Sequence, residues 1–271
     1  GAANGVCVTH MTREELRERE PAVTGVASVF VRATGIVSFA EVTRAMADVV
    51  GERGGEVRLG ARVLDVSPGA RVFTIETARG IVTARNIINC AGLQCDRIAS
   101  MCGLLPGISI IPFRGEYYDL VESRRGLCNN LIYPVPDARY PFLGVHFTRA
   151  VGGKVEAGPN AVLAFHREGY DKTSFSFDDS AALITHRGFW KMAFQHWRTG
   201  VSEMYRSLSK AAFVRSLQAL IPEIPAADLE PGRAGVRAQA VDDDGRLADD
   251  FRLVEADSML HVLNAPSPAA T

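Results

Sequence analysis

The stretch Val145-His146-Phe147-Thr148-Arg149 sets an imidazole between two apolar side chains and follows it with a cation. An imidazole titrates near neutral pH, so His146 can take a proton from an alcohol; in such a setting it can equally be a hydrogen-bonded core residue. Arg114-Gly115-Glu116-Tyr117-Tyr118 offers a guanidinium and a phenol suited to lining a cleft, although the same string also reads as a solvated edge strand. Ala234-Gly235-Val236-Arg237-Ala238-Gln239 places Arg237 among small apolar residues, a setting that calls for an anion. That anion is either a ligand or one of Asp242, Asp243 and Asp244. The aspartate run lacks the ligand spacing and closing Glu of a calcium loop and reads as a turn, and the cysteines show no metal spacing, so no metal site is expected. The other histidines are weaker candidates, since His186 and His196 fall on a helical stretch and His166 lies among loop charges.

A second group of residues suits a nucleotide. Ile87-Ile-Asn-Cys-Ala-Gly-Leu-Gln-Cys-Asp-Arg-Ile-Ala99 reads as an apolar strand delivering a small-residue turn onto a helix, and Ala91 and Gly92 let backbone approach a ligand closely. Plain strand-to-helix packing explains the same pattern. After the strand 259–263, Asn264-Ala265-Pro266-Ser267 forms a turn, with Ser267 placed to cap a helix and Pro268 at its first position. Unpaired N–H groups at such a helix start point at an anion. Val63, on the strand before a small meander, is a weaker contact that core packing explains as well.

The elements that must position these groups fall into two textures. Thr12-Arg-Glu-Glu opens a short helix with a capping-box pattern, strands at 26–31 and 35–39 flank a turn, and Ser38 caps a helix with apolar residues at 42, 45, 46, 49 and 50. A strand at 56–66, the meander 71–83, the strand 86–91 and a helix 94–102 follow. From 107 to about 231, aromatic-rich alternating strands with Pro and Gly punctuation surround a helical stretch at 178–221; short apolar strands then return at 234–240, 251–254 and 259–263. The fold class is therefore mixed, α/β together with α+β: an incomplete dinucleotide-binding Rossmann-like domain interleaved with an antiparallel-sheet domain. The expected segments are 1–37 (substrate domain), 38–106 (partial nucleotide domain), 107–232 (substrate domain) and 233–271 (partial nucleotide domain).

Bulk properties exclude several classes. With 30 basic against 31 acidic residues the net charge is −1, which gives no field to gather nucleic acid. No run of 18 apolar residues predicts a membrane span, and the first residues lack the basic start and apolar stretch of a signal peptide. Five cysteines with no framework spacing read as single thiols in a reducing compartment.

Taken in order, Phe-Arg-Gly-Glu-Tyr (113–117), Tyr-Pro-Val-Pro-Asp (133–137), Phe-Leu-Gly-Val-His-Phe-Thr-Arg (142–149), Gly-Pro-Asn-Ala-Val-Leu-Ala-Phe (158–165), Ala-Gly-Val-Arg-Ala-Gln (234–239) and Asn-Ala-Pro-Ser-Pro-Ala-Ala-Thr (264–271) resemble the L-2-hydroxyglutarate oxidase/dehydrogenase family. That family belongs to the D-amino-acid-oxidase-like group of FAD enzymes, and the resemblance runs through essentially the whole chain. It implies an FAD-dependent oxidoreductase acting on a CH–OH donor, oxidising L-2-hydroxyglutarate to 2-oxoglutarate and passing electrons to a quinone-type acceptor or to oxygen. It implies His146 as base, Arg237 and Arg114 as carboxylate clamps, Tyr117 or Arg149 as supporting donors, and Val63, Ala91, Gly92 and the turn 264–267 against FAD. Another hydroxy acid, an amino acid or glycerol 3-phosphate within the same group stays open as substrate. So does a non-catalytic remnant. The resemblance further implies a small dicarboxylate partner, no nucleic acid and no membrane span, with peripheral association to a membrane. The expected setting is the cytoplasm of a bacterium or the mitochondrion of a eukaryote. Members of that family open with a strand, a GxGxxG turn and a helix, and this sequence contains no GxGxxG. The chain is thus expected to be an inactive fragment without that element and without the helix after 264–271, with uncovered apolar surface at 86–91 and 259–263.

Overall fold

The computed structural model describes residues 5–69, 71–135 and 144–265. Its central element is β7 (Ile108–Leu120), a 13-residue strand buried along most of its length. The apolar run Ile108 to Phe113 has no helical stripe and suits a strand covered on both faces. One edge of β7 pairs antiparallel with β11 (Leu229–Asp242) from Leu120↔Leu229 to Ile108↔Asp242. Its other edge carries β10 (Val162–Leu163) and β9 (Val155–Gly158), and β9 pairs with β8 (His146–Arg149). The register slips between Pro231 and Ala234. Pro231 has no N–H to give the ladder, and a Cβ on Gly232 would lie 2.9 Å from the Tyr117 carbonyl oxygen, so this stretch bulges and the strand continues. β11 therefore runs unbroken across the expected boundary at 232/233, and Arg237 stands on the antiparallel sheet. The short strand expected at 234–240 is one end of a 14-residue one.

One face of this sheet makes the largest core. Leu120, Phe147 and Ala157 pack with Phe213 and Leu217 of α6 (Lys210–Leu217) and Leu16 of α1 (Arg13–Arg19). Each such large side chain contributes about 1.5–3 kcal/mol on burial. The expected helical stretch 178–221 is three helices: α4 (Phe177–Thr185), α5 (Arg187–Leu208) and α6. Ser176, His186 and Ser209 each accept a hydrogen bond from the backbone N–H three residues on, and each such cap starts a new helix. His196 interrupts α5 with φ −113° and ψ 17°.

α1 and the strand before it pack on this core through Leu16 and Met11, and the elements between residues 39 and 101, with the strands between 252 and 264, form the smaller part. Thr12 caps α1 with Glu15 in a capping box, and β1 (Thr9–Met11) pairs with β2 (Ser28–Phe30). The strand expected at 26–31 shortens to β2, and no strand forms at 35–39. Ser38 caps α2 (Phe39–Glu52), whose apolar stripe has no buried residue. The strand expected at 56–66 begins only at Val63; β3 (Val63–Pro68), β4 (Phe73–Thr77) and β5 (Gly80–Ala84) are an antiparallel meander. β6 (Ile87–Asn89) lies parallel to β13 (Met259–Asn264), and β12 (Arg252–Ala256) pairs antiparallel with β13. Ile88 on β6 is 69% exposed. A second core of Cys95, Ala99, Ile108, Ile110, Ala240 and Leu263 joins α3 (Cys95–Met101) and β13 to β7 and β11. The architecture is mixed α/β with antiparallel sheets, as expected.

Candidate active site

Side chains alternate across a strand, and residues directly opposite one another in a sheet share a face. Phe147 faces Ala157, and Ala157 faces Tyr118, so these three lie on the face that packs on Phe213. His146, one residue earlier, therefore points to the other face, and so does Tyr117. Arg237 pairs directly with Phe113, four residues before Tyr117, and shares that face. Between these rows Gly115 and Gly235 pair with each other; a Cβ on Gly235 would meet nothing within 4 Å, whereas one on Gly115 would lie 3.0 Å from the Pro159 ring. Gly158, opposite His146, has φ +144°, and a Cβ there would lie 3.2 Å from the Tyr117 ring. Glycine thus makes room for the phenol beside the imidazole.

His146 is only 7% exposed. Its Nδ1 lies 2.9 Å from the Gly144 carbonyl oxygen, which can only accept, so Nδ1 carries the proton and Nε2 keeps its lone pair. Burial lowers its pKa below the ordinary imidazole value; the Gly144 bond opposes that and the nearby Arg237 charge adds to it. The ring is therefore neutral near pH 7. Tyr133 stacks on it, with ring centroids 4.3 Å apart and planes at 23°. Tyr117 hydrogen-bonds Arg237, while burial, the larger influence, raises the phenol's pKa and keeps it protonated. Beside this face opens a cavity of about 790 Å³, lined among others by Phe113, Gly144, Val145, Pro159, Leu163 and Met192. That size accepts a small organic ligand. His146, Tyr117 and Arg237 are not among the residues lining that cavity, which shares Phe113 with their sheet face; a neutral base, a guanidinium and a phenol on one face can bind a carboxylate and accept a proton from an adjacent hydroxyl.

The two other predicted arginines lie elsewhere. Arg114 is on the opposite face of β7 from Tyr117, 6% exposed; its Nε and Nη2 donate to Glu116 at 3.1 and 2.9 Å and its Nη1 to the Asp171 carbonyl at 2.8 Å. Glu116 in turn accepts from Asn160 and Ser207. Arg149 shares the Phe147 face and donates to the Cys128 carbonyl at 3.0 Å. Neither reaches the His146 face. Tyr133 was given no role by the sequence; its signal is the isolated bridge Ile132↔Phe147, which only the fold creates.

The nucleotide-type residues gather at another edge. β6 and β13 run parallel, so Ala91 and Gly92 after one strand and Asn264 and Ala265 at the end of the other leave the sheet on the same carboxyl side. Gly92 has φ +53°, and a Cβ there would meet nothing within 4 Å. Asn89 braces the turn: its Oδ1 accepts from Ala91 N at 3.1 Å, and its Nδ2 donates to the Cys95 carbonyl at 2.8 Å and to His261 Nδ1 at 3.0 Å. Asn264 donates to the Asp250 carbonyl at 2.8 Å. Val63 begins the separate meander sheet. Pro266 and Ser267 lie outside the described residues.

With this geometry in place, the chain can be set against known proteins. The pattern of the DAO family, FAD dependent oxidoreductase, matches residues 1–271. The chain belongs to the FAD dependent oxidoreductase family. Among its relatives in this family, the L-2-hydroxyglutarate dehydrogenase of Escherichia coli O17:K52:H18 is 48% identical over 271 residues, covering all of this chain and 64% of the relative. That of Indibacter alkaliphilus is 48% identical over 273 residues and covered to 68%, and the mitochondrial one of Homo sapiens is 40% identical over 289 residues and covered to 62%, each across the whole of this chain. The chain thus spans a little under two thirds of the length of most of these relatives. In fold it is similar to the L-alpha-glycerophosphate oxidase of Mycoplasma pneumoniae, solved with FAD bound, at TM-score 0.69 and 15% identity over 94% of this chain and 58% of that one. It is also similar to glycine oxidase of Geobacillus kaustophilus, at TM-score 0.63 and 14% identity over 96% and 58%.

The residues present fit the family's cofactor at this edge. Ligands of parallel α/β sheets bind outside the carboxyl ends of the strands, where Gly92 leaves open space for close approach. His261 is fully buried; because Asn89 donates to its Nδ1, its proton sits on Nε2, which has no partner among the described residues. That donor lies inside the sheet, and the fit of the cofactor rests on the open turn at Gly92.

Proposed function

We propose that the protein oxidises L-2-hydroxyglutarate to 2-oxoglutarate. The observation that carries this reading is the neutral His146 with its free Nε2 lone pair on one sheet face with the Tyr117–Arg237 pair. Arg237 holds a substrate carboxylate through its planar fork, and Tyr117 orients that fork. Nε2 of His146 takes the proton of the C2 hydroxyl, and the Gly144 carbonyl supports the imidazolium that results through Nδ1–H. FAD, held by Gly92, Ala91, Asn264 and Ala265, supplies the hydride acceptor when bound. Arg114 and Arg149 serve the sheet interior in this reading, because their donors end on Glu116, the Asp171 carbonyl and the Cys128 carbonyl. Electrons pass on to a quinone-type acceptor or to oxygen. No helix of the described residues is long and apolar enough to cross a membrane, and the proposed membrane association is peripheral.

The intact protein with FAD should bleach on adding L-2-hydroxyglutarate, and not with glycine or glycerol 3-phosphate. Bleaching by either of those instead would move the reading to an amino-acid or glycerophosphate oxidase; failure to take up FAD would leave a non-catalytic remnant. Arg237→Lys keeps the charge and loses the bidentate fork, so the substrate concentration for half-maximal bleaching should rise about tenfold, the worth of one charge-assisted hydrogen bond, with little change in the limiting rate. An unaltered half-saturation would assign Arg237 to structure alone.

A further inference from the structure

A buried ion cluster joins the two parts of the chain, and the proposed chemistry does not use it. Arg167, in the loop after β10, is 3% exposed, and Asp96, in the first turn of α3, is 6% exposed. The guanidinium grips the carboxylate with both arms, Nη1 to Oδ1 at 2.5 Å and Nη2 to Oδ2 at 2.8 Å, and Nη1 also donates to the Leu93 carbonyl at 2.6 Å. Leu93 directly follows Gly92. The same Asp96 Oδ2 accepts the backbone N–H of Ile110 at 2.9 Å, so one carboxylate touches α3, the Arg167 loop and the strand that carries Tyr117. A second pair repeats the link: Asp179 of α4 accepts from Arg97 Nη2 at 2.6 Å and from Arg167 N at 2.8 Å, and Gln94 donates to Glu168 at 2.9 Å.

Buried ion pairs gain little net stability over apolar packing, because desolvation offsets most of the attraction, while their directional bonds fix geometry. The second core already holds α3 to β7 by apolar contact. What packing alone does not set is the rotation and slide of the Gly92 turn; the Arg167 side-chain donors land on Leu93 and Asp96, within four residues of Gly92, and Asp96 in turn accepts from Ile110 of β7. We propose that Arg167 is a positioning residue that, through Asp96 and the Leu93 carbonyl, fixes the Gly92 turn relative to the sheet face bearing His146, Tyr117 and Arg237. This rests on the reading of Gly92 as the cofactor-facing turn, and its consequence is that the cofactor and the base keep one separation. A displacement near 1 Å at such a junction is enough to cost about 100-fold in rate.

The test uses three variants of the intact protein, Arg167→Gln, Asp96→Asn and the double variant, with two readouts: backbone hydrogen exchange across residues 92–101, and the dissociation constant for FAD without substrate. Either single change leaves a buried charge uncompensated and should lower the melting temperature. The double variant buries no net charge and should melt near the parent. If Arg167 positions the turn, the double variant still exchanges faster at 92–101 and binds FAD about tenfold more weakly, despite its recovered melting temperature. Parental exchange and FAD affinity in the double variant would overturn the proposal and make the cluster purely structural. Hydrogen exchange is read even if the parent takes up no FAD, so failure of the cofactor reading is seen separately from failure of the positioning role.

Discussion

Replacing His146 with Ala in the intact, FAD-loaded protein should slow flavin reduction by L-2-hydroxyglutarate about 100-fold or more, the scale of a lost general base, while FAD binding stays near the parent. The expectation rests on the tautomer. Gly144 accepts from Nδ1, so the lone pair can only be on Nε2, and the ring is held neutral by burial, with the Arg237 charge adding to that effect. The sign of the pH dependence follows. A base works only when deprotonated, and a pKa lowered from 6.5 places the loss of activity on the acid side of that value; the rate should be flat through pH 7 and fall below 6.5. Stopped-flow flavin bleaching against pH measures both. A parental limb centred above 6.5, or a His146→Ala protein that bleaches at the parental rate, would remove His146 from the role.

Some of this arrangement was readable before any fold was known. The capping box at Thr12 and the Ser38 cap are written within a few residues, and local hydrogen bonds decide them. The meander 73–84 needs only alternation and a Gly turn. Parity was also readable. Arg114 and Tyr117 are an odd number of positions apart on one strand, as are His146 and Arg149, so neither pair can share a sheet face. One member of each pair therefore faces away from the His146 side of the sheet. Register was not readable. That Arg237 stands opposite Phe113, and that Gly115 meets Gly235, depends on a bulge at Pro231–Ala234 that long-range pairing imposes. The ends of β11 were missed for the same reason: Pro231 and Gly232 look like a break, and the partner strand β7 overrides them. Arg167, a cation among loop charges, carries no local mark of a carboxylate lying 71 residues away.

Parity makes Arg114 and Arg237 separable by experiment. Arg114→Met should leave the Glu116 carboxylate in a buried site with Asn160, Ser207 and a half-exposed Lys172 as its remaining partners. Breaking a buried pair by removing one member costs roughly 3–5 kcal/mol, and the surviving hydrogen bonds place this case near the lower figure. Arg114→Met/Glu116→Gln should recover much of that loss, since a neutral amide can still bond to Asn160 and Ser207. Burial alone would push the Glu116 pKa up, but the bonds from Asn160, Ser207 and Arg114, with the charge of Lys172, outweigh it and hold the pKa below its ordinary 4.5. A carboxylate with a depressed folded pKa contributes stability that is complete above its unfolded value and disappears as pH falls through the folded one. The parent should therefore lose stability on acidification below about pH 4.5, and the double variant should lose less over the same window, as read by urea melts at a series of pH values. Equal acid sensitivity in parent and double variant would show that Glu116 does not carry that dependence. If instead Arg114→Met melted like the parent while substrate half-saturation rose, the guanidinium would belong at the substrate, and the division of the two arginines between the two sheet faces would be wrong.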